Sequence, residues 1–295
     1  MNVLANYHTH TVFCDGTDSA EAVADQALRY GMHELGFSGH MDPDIHMDWQ
    51  AYTGTIRRLQ EQYRGRLDIL LGVELDGLYD VWTSGQLRCQ KGKRPHGIGV
   101  CAPAVIRRDA EYIIGSTHFL DVASPEPMGV DVSGDVIQTL IREYFGGDAY
   151  AMARAYYDLE AQVADRTGCT FVGHFDLITR FNDALHFLDE EDPRYTGPAL
   201  EAMEYLVQKR VPFEINCGAV NRGRKREPYP NCFLLRKLYE FGGEVLLSAD
   251  AHQKELLLGG FDRAQEWAAA AGFEYCLILK HDQNGTVVWD HVALS

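Results

Sequence analysis

The sequence predicts an α/β fold in which a parallel sheet closes into a barrel related to the (β/α)8 type. Three observations lead there. Short apolar runs alternate with amphipathic helical patterns from end to end, the signature of repeated right-handed β-α crossovers. Seven such runs are present before the C-terminal stretch. Most of them end at or just before a His, Asp or Glu, and in a parallel barrel those ends open on one face.

The elements follow in order. Val3 to Tyr7 reads as a strand running into His8. Asp18 is placed to cap a helix, with Glu21 three residues on completing a capping box and Gly31 ending it. Leu35 to Ser38 is a strand ending at His40. A helix over 48–64 leads to the strand Ile69 to Leu75. Residues 76–110 break the rhythm; with Lys91, Lys93, Arg94, Arg107 and Arg108 among several Gly and Pro, they read as an insertion or lid loop. Tyr112 to Ser116 is a strand ending at His118. Helices over 134–145 and 148–167 precede the strand Thr170 to Val172, which ends at His174. Helix 197–209 precedes Pro212 to Ile215, and helix 231–241 precedes Glu244 to Leu247, which ends at Asp250 and His252. A last helix over 260–271 leads into a terminal hairpin near 275–292, turned at Asn284-Gly285. The whole chain, 1–295, reads as one domain.

Composition sets the class. The 295 residues carry 27 Lys+Arg against 43 Asp+Glu, a formal net charge of -16, and 46% are hydrophobic. Disorder, collagen and coiled coil do not fit such a chain. A surplus of acid disfavours nucleic-acid binding through bulk electrostatics, because phosphate contacts want a basic face. Seven cysteines, at 14, 89, 101, 169, 217, 232 and 276, include no C-x-x-C spacing, so they read as reduced thiols rather than disulfides or a zinc ribbon. The N-terminus has no signal-peptide pattern, and no apolar run approaches the roughly 20 residues of a membrane span. A soluble cytoplasmic protein is expected.

The chemistry lies at the strand ends. His8, His10, His40, Glu74, His118, His174, Glu214, Asp250 and His252 all fall there. Imidazole with carboxylate, and without sulfur, is a ligand set for zinc, manganese or iron. His8 and His10 project to the same side of one strand, since side chains repeat every two residues, and Asp250 and His252 repeat that spacing. His33, His46, His96, His186, His281 and His291 lack the pattern and read as packing or solvated residues. No nucleophile elbow or cysteine-phosphatase loop is visible.

The segments YHTHTVFCDG, GFSGH, GVEL, IGSTHF, VGHFDLI, FEIN and SADAH resemble, in this order, the motifs of the polymerase-and-histidinol-phosphatase (PHP) superfamily. VGHFDLITRF and INCGAVNRG with PYP are similar to its histidinol-phosphate phosphatase branch. The resemblance implies a distorted (β/α)7 barrel holding two or three divalent ions. By position, His8, His10, Glu74 and Asp250 would hold the first. Glu74 would bridge to a second, completed by His118 and His174. Asp15, His40 and His252 would hold a third; the family often has His where Asp15 stands. Such ions lower the pKa of a shared water and clamp phosphoryl oxygens. Glu74, Asp250 and His252 are then the catalytic candidates, with Asp250 or His252 relaying a proton to the leaving alkoxide. Arg180 and Arg222 lie in loops on the same face and match phosphate-binding positions of that branch; bidentate guanidinium suits phosphate. Glu214 and Asn216 are expected to hold the substrate's amino end or to orient the ligands. Arg224, Lys225 and Arg226 offer a second clamp, although a solvated loop is the preferred reading. The expected reaction is hydrolysis of the small substrate L-histidinol phosphate. The alternatives are another phosphatase, a phosphodiesterase or exonuclease of the same superfamily, or a non-catalytic metal-binding scaffold.

Overall fold

In the computed structural model, residues 4–88 and 100–294 are described. Val3, Cys89, Lys91, Lys93, Arg94 and His96 lie outside the described residues. Strands β1 (Ala5–Asn6), β2 (Glu34–Phe37), β3 (His40–Met41), β4 (Asp68–Asp76), β5 (Tyr112–Ser116), β6 (Phe119–Leu120), β7 (Met128–Gly129), β8 (Phe171–Val172), β9 (Phe213–Asn216) and β10 (Val245–Ser248) lie in chain order. Seven of them form one parallel path, β1-β2-β4-β5-β8-β9-β10, while β3 pairs with the far end of β4. Two hydrogen bonds link the path's ends just past β1 and β10: His10 N–H to Ala251 O at 2.8 Å and Ala251 N–H to His8 O at 3.0 Å. The sheet is thus a nearly closed barrel, as the alternating pattern predicts.

Helices cover the barrel. α1 (Ala20–Arg29), α2 (Trp49–Tyr63), α3 (Tyr79–Thr83), α4 (Pro103–Asp109), α5 (Gly134–Thr139), α6 (Ala149–Glu160), α7 (Val163–Thr167), α8 (Asn182–Leu185), α9 (Pro193–Gln208), α10 (Gly218–Asn221), α11 (Cys232–Glu240) and α12 (Phe261–Ala271) alternate with the strands. Ser19, not Asp18, caps α1 by accepting from Ala22 N–H. Asp18 is instead taken up by Lys254, which binds it through both its backbone N–H and its ammonium. α9 begins a turn before its expected start, because Pro193 sits at the first helical position, where no N–H is needed. The span 148–167 is broken after Glu160. Within 76–110, α3 and α4 replace the expected loop. Arg107 joins them to α7, bonding Asp80 and the carbonyls of Arg166 and Thr167. It is a structural cation rather than a lid residue.

The barrel interior is filled by Tyr112. Its hydroxyl donates to Tyr7 O, and a Cβ at Gly36 or Gly72 would lie 2.2 or 2.1 Å from the Tyr112 side chain, so only glycine fits there. The last two strands, β11 (Tyr275–His281) and β12 (Val287–Ala293), form the expected antiparallel hairpin. Tyr7 pins it to the barrel: its hydroxyl donates to Leu279 O at 2.7 Å and accepts from Leu279 N–H at 2.8 Å.

Candidate active site

Glu74 is the hub. It lies inside the long strand β4, in direct register with His40 on β3, and it is buried. Its Oε2 faces His8 Nε2 at 3.0 Å, His40 Nδ1 at 3.2 Å and His10 Nε2 at 3.5 Å. Its Oε1 faces His174 Nε2 at 2.8 Å and His118 Nε2 at 3.1 Å, and accepts from the Ser116 hydroxyl at 2.8 Å. One carboxylate therefore spans two sets of imidazoles, the geometry expected of a bridging group. Around it, Asp250 Oδ1 lies 3.3 Å from His10 Nε2 and 3.8 Å from His8 Nε2. Asp15 lies 3.0 Å from His252 Nε2, 3.5 Å from His10 Nδ1 and 3.7 Å from His40 Nε2. His40 and His10 stand between groups that the sequence reading assigns to separate ions. Asp250 holds a left-handed backbone, φ 47°, which turns its carboxylate back over the site. A Cβ at Gly218 would fall 2.5 Å from Asp250 Oδ2, so the glycine of the CGAVN turn lets that carboxylate in.

Glu214 belongs to the site but does not face its cavity. Its Oε2 lies 2.9 Å from His8 Nδ1, and its Oε1 accepts from Asn216 Nδ2 and His174 N–H, both at 2.7 Å. Those bonds engage both oxygens beneath the histidines and leave Glu214 outside the residues that line the cavity. Two further carboxylates that the sequence reading missed stand against these histidines. Asp76 lies 3.3 Å from His118 Nδ1 and accepts from the His118 N–H, and Asp42 lies 3.5 Å from His40 Nδ1. Both stand two residues beyond a named ligand, Glu74 or His40, and that spacing was the available signal.

A cavity of about 250 Å³ opens onto the cluster, and Asp131, Tyr229, Arg180, Arg222 and Arg224 share its walls with the histidines. Arg180 follows a single turn of 3-10 helix, Leu177–Thr179, and pairs with Asp131 at 3.2 Å. Arg222 caps α10, donates to Asp250 Oδ2 and Asp250 O, both at 3.2 Å, and lies 3.1 Å from His252 Nδ1. Arg224 lines the same cavity, while Lys225 is buried, against the expectation of a solvated loop. Arg226 is exposed and its N–H bonds Asp183.

The charges sustain one another. Burial opposes ionisation of Glu74, yet His8 and His118, both raised above the ordinary histidine value, overcome it and hold its carboxyl well below the usual range. Burial likewise opposes ionisation of Asp250, and Arg222 and His8 overcome it. Burial pushes His40 down to about 3, which keeps its imidazole neutral, as a metal ligand must be. Buried His10 Nε2 and His40 Nδ1 have no hydrogen-bond partner, although each points at Glu74. Four sets of donor atoms fall within 4.8 Å of one another among the described residues, and each includes His8, His10 or His40. Orphaned imidazole nitrogens beside ionised carboxylates fit first-row divalent ions.

The PHP domain family matches residues 6–218, most of the chain and nearly all of these donors. The chain belongs to that family. Two relatives of this PHP barrel bear the name "Probable histidinol-phosphatase". That of Schizosaccharomyces pombe is 23% identical over 309 residues, covering 95% of this chain and 92% of its own. That of Deinococcus radiodurans is 28% identical over 267 residues, covering 86% and 88%. The barrel fold is shared with two solved structures, each 18% identical. The "putative histidinol phosphatase" of Listeria monocytogenes superposes with a TM-score of 0.72 over 88% of this chain and 99% of its own. The histidinol phosphate phosphatase of Lactococcus lactis, solved with Zn, L-histidinol and phosphate, gives 0.65 over 94% and 96%. Among the described residues, no helix is long and apolar enough to cross a membrane.

Proposed function

We propose that this PHP barrel hydrolyses L-histidinol phosphate to L-histidinol and phosphate, a step of histidine biosynthesis carried out in the cytoplasm with two or three zinc, manganese or iron ions. The observation that carries the reading is one cavity that joins the Glu74-centred donors to Arg180 and Arg222. The names of the relatives supply the substrate. His8, His10, Glu74 and Asp250 would hold one ion, Glu74, His118 and His174 a second, and Asp15, His40 and His252 a third. When bound, such ions make water a nucleophile at neutral pH and neutralise phosphate charge.

The chain's own groups do the rest. Arg180 and Arg222 would offer forked donors to the phosphoryl oxygens from the cavity wall. Asp131 holds the Arg180 guanidinium while the cavity is free. His252, 25% exposed and between Asp15 and Asp250, is the site histidine open to solvent, and it or Asp250, whichever is not engaged by an ion, would relay a proton to the leaving alkoxide. Glu214 keeps His8 turned toward the cavity, and Asp76 holds the backbone of His118.

Turnover of the zinc- or manganese-loaded protein against L-histidinol phosphate and a panel of small phosphate esters tests this. Phosphate release from L-histidinol phosphate with kcat/KM at least tenfold above the other esters is expected. Equal turnover of the panel, or cleavage of a phosphodiester alone, overturns the substrate assignment.

A further inference from the structure

Lys225 is buried beside a cluster of arginines, which is a costly place for an ammonium. Its Nζ donates to the Thr179 hydroxyl at 2.6 Å, sits 5.2 Å from the Tyr229 ring centroid, and lies 4.0 Å from Glu190 Oε1. The buried Asp176 also faces this charge, and Glu190 offsets it without a direct hydrogen bond. The Glu190 oxygens are already bound by Asn182 Nδ2 at 2.8 Å and Asn231 Nδ2 at 3.0 Å. An apolar side chain of the same length would fill the space without desolvating a charge.

What the ammonium joins is more telling. Thr179 closes the 3-10 turn whose next residue is Arg180, and its hydroxyl donates back to Asp176 O at 2.8 Å. Lys225 ends the turn that carries Arg222 and Arg224; the N–H groups of Arg224 and Lys225 both point to Ala219 O. The Lys225–Thr179 bond lies between the Arg180 and Arg222 ends of the two loops that bring guanidiniums to the cavity, alongside the outer bonds from Arg226 N–H to Asp183 and from Asn231 N–H to Asp176. Partial burial together with Arg180 and Arg222 depresses the Arg224 guanidinium, a sign of how tightly these like charges are held.

We propose that Lys225 is a positioning residue: by binding the Thr179 hydroxyl it sets the separation of the Arg180 and Arg222 guanidiniums for a phosphate dianion. This rests on the reading of the cavity as a phosphate site, and not on which ester is cleaved. A bidentate grip depends on distances good to a few tenths of an ångström, so the brace acts on phosphate affinity rather than on metal binding.

Calorimetric titration of inorganic phosphate into the zinc-loaded protein tests it, with metal content and melting temperature measured alongside. Lys225→Met and Thr179→Val are each expected to raise the phosphate Kd about tenfold. The double variant should be no weaker than either single one, because both break the same bond. Thr179→Ser, which keeps the hydroxyl, should stay within twofold of the parent, and metal content should not change. Unchanged phosphate Kd in Thr179→Val and Lys225→Met overturns the brace, even if both melt earlier, as does full additivity of the two. If Lys225→Met does not fold, the Val and Ser variants at 179 decide between a hydroxyl tie and simple packing. A parent protein that binds no phosphate overturns the brace and the phosphate site together. A parent that binds phosphate but leaves L-histidinol phosphate uncleaved overturns only the substrate assignment.

Discussion

At the scale of the residue, the two arginines separate by what else they touch. Arg180 pairs with Asp131 and with no metal-site donor, whereas Arg222 holds Asp250 and abuts His252. Arg180→Ala should therefore lower kcat/KM roughly ten- to a hundredfold, the worth of one charged hydrogen bond, with full metal content. Arg222→Ala should cost at least as much and also loosen metal binding, because Asp250 loses the cation that keeps it ionised. Steady-state kinetics with elemental analysis on both variants checks this; equal metal retention would show that Arg222 serves phosphate alone. The histidines and Glu74 were legible in the sequence because each sits at a strand end, where period and topology dictate direction. Glu214 was legible as a site residue, yet its direction was not. Whether a strand carboxylate faces the cavity or a histidine from a distant strand depends on contacts across the barrel, here Glu214 with His8, which no local pattern encodes. Lys225 was misread for a related reason, since a run of three cations reads as solvated until the partner loop with Thr179 is in place.

At the scale of the element, the terminal hairpin shows how a charge can fasten secondary structure to the barrel. His281 Nδ1 lies 2.6 Å from Asp68 at the start of β4, and its Nε2 lies 3.4 Å from Glu111. Burial lowers its pKa, but the two carboxylates overcome that and raise it above the ordinary value. A raised histidine pKa gives stability that is fully present below the unfolded value near 6.5 and is lost as pH rises through the folded one. His281→Ala should thus destabilise by roughly 1 kcal/mol at pH 6 and by less at pH 9. Urea unfolding at the two pH values reads the difference, and an equal loss at both would mean that the ring acts by packing alone. The hairpin itself was visible in Asn284-Gly285 and the apolar alternation; its Asp68 anchor was not, because that contact spans most of the chain. The helices in 76–110 were hidden by glycine and proline that read as loop.

At the scale of the whole molecule, a net charge of -16 surrounds a cavity that we propose takes up a phosphate dianion. Bound ions and the arginines must reverse that field locally, so metal is expected to support the fold as well as the chemistry. Ion concentration a thousandfold above Kd contributes roughly 4 kcal/mol to the folded state. Chelation should then lower the melting temperature by about 10 °C in calorimetry, and readdition of zinc should restore it; an unchanged melting temperature would mean a barrel held by its apolar core alone. Barrel order and strand count were legible because βαβ units leave few topologies to choose from. The central claim is that Glu74 joins two groups of histidines into one multi-ion centre. Anomalous diffraction at the zinc edge, from crystals of the zinc-loaded protein, tests it most directly. Two or three peaks are expected, two of them roughly 3.5–4 Å apart and flanking the Glu74 carboxylate. A single peak, or peaks none of which touches Glu74, would contradict it.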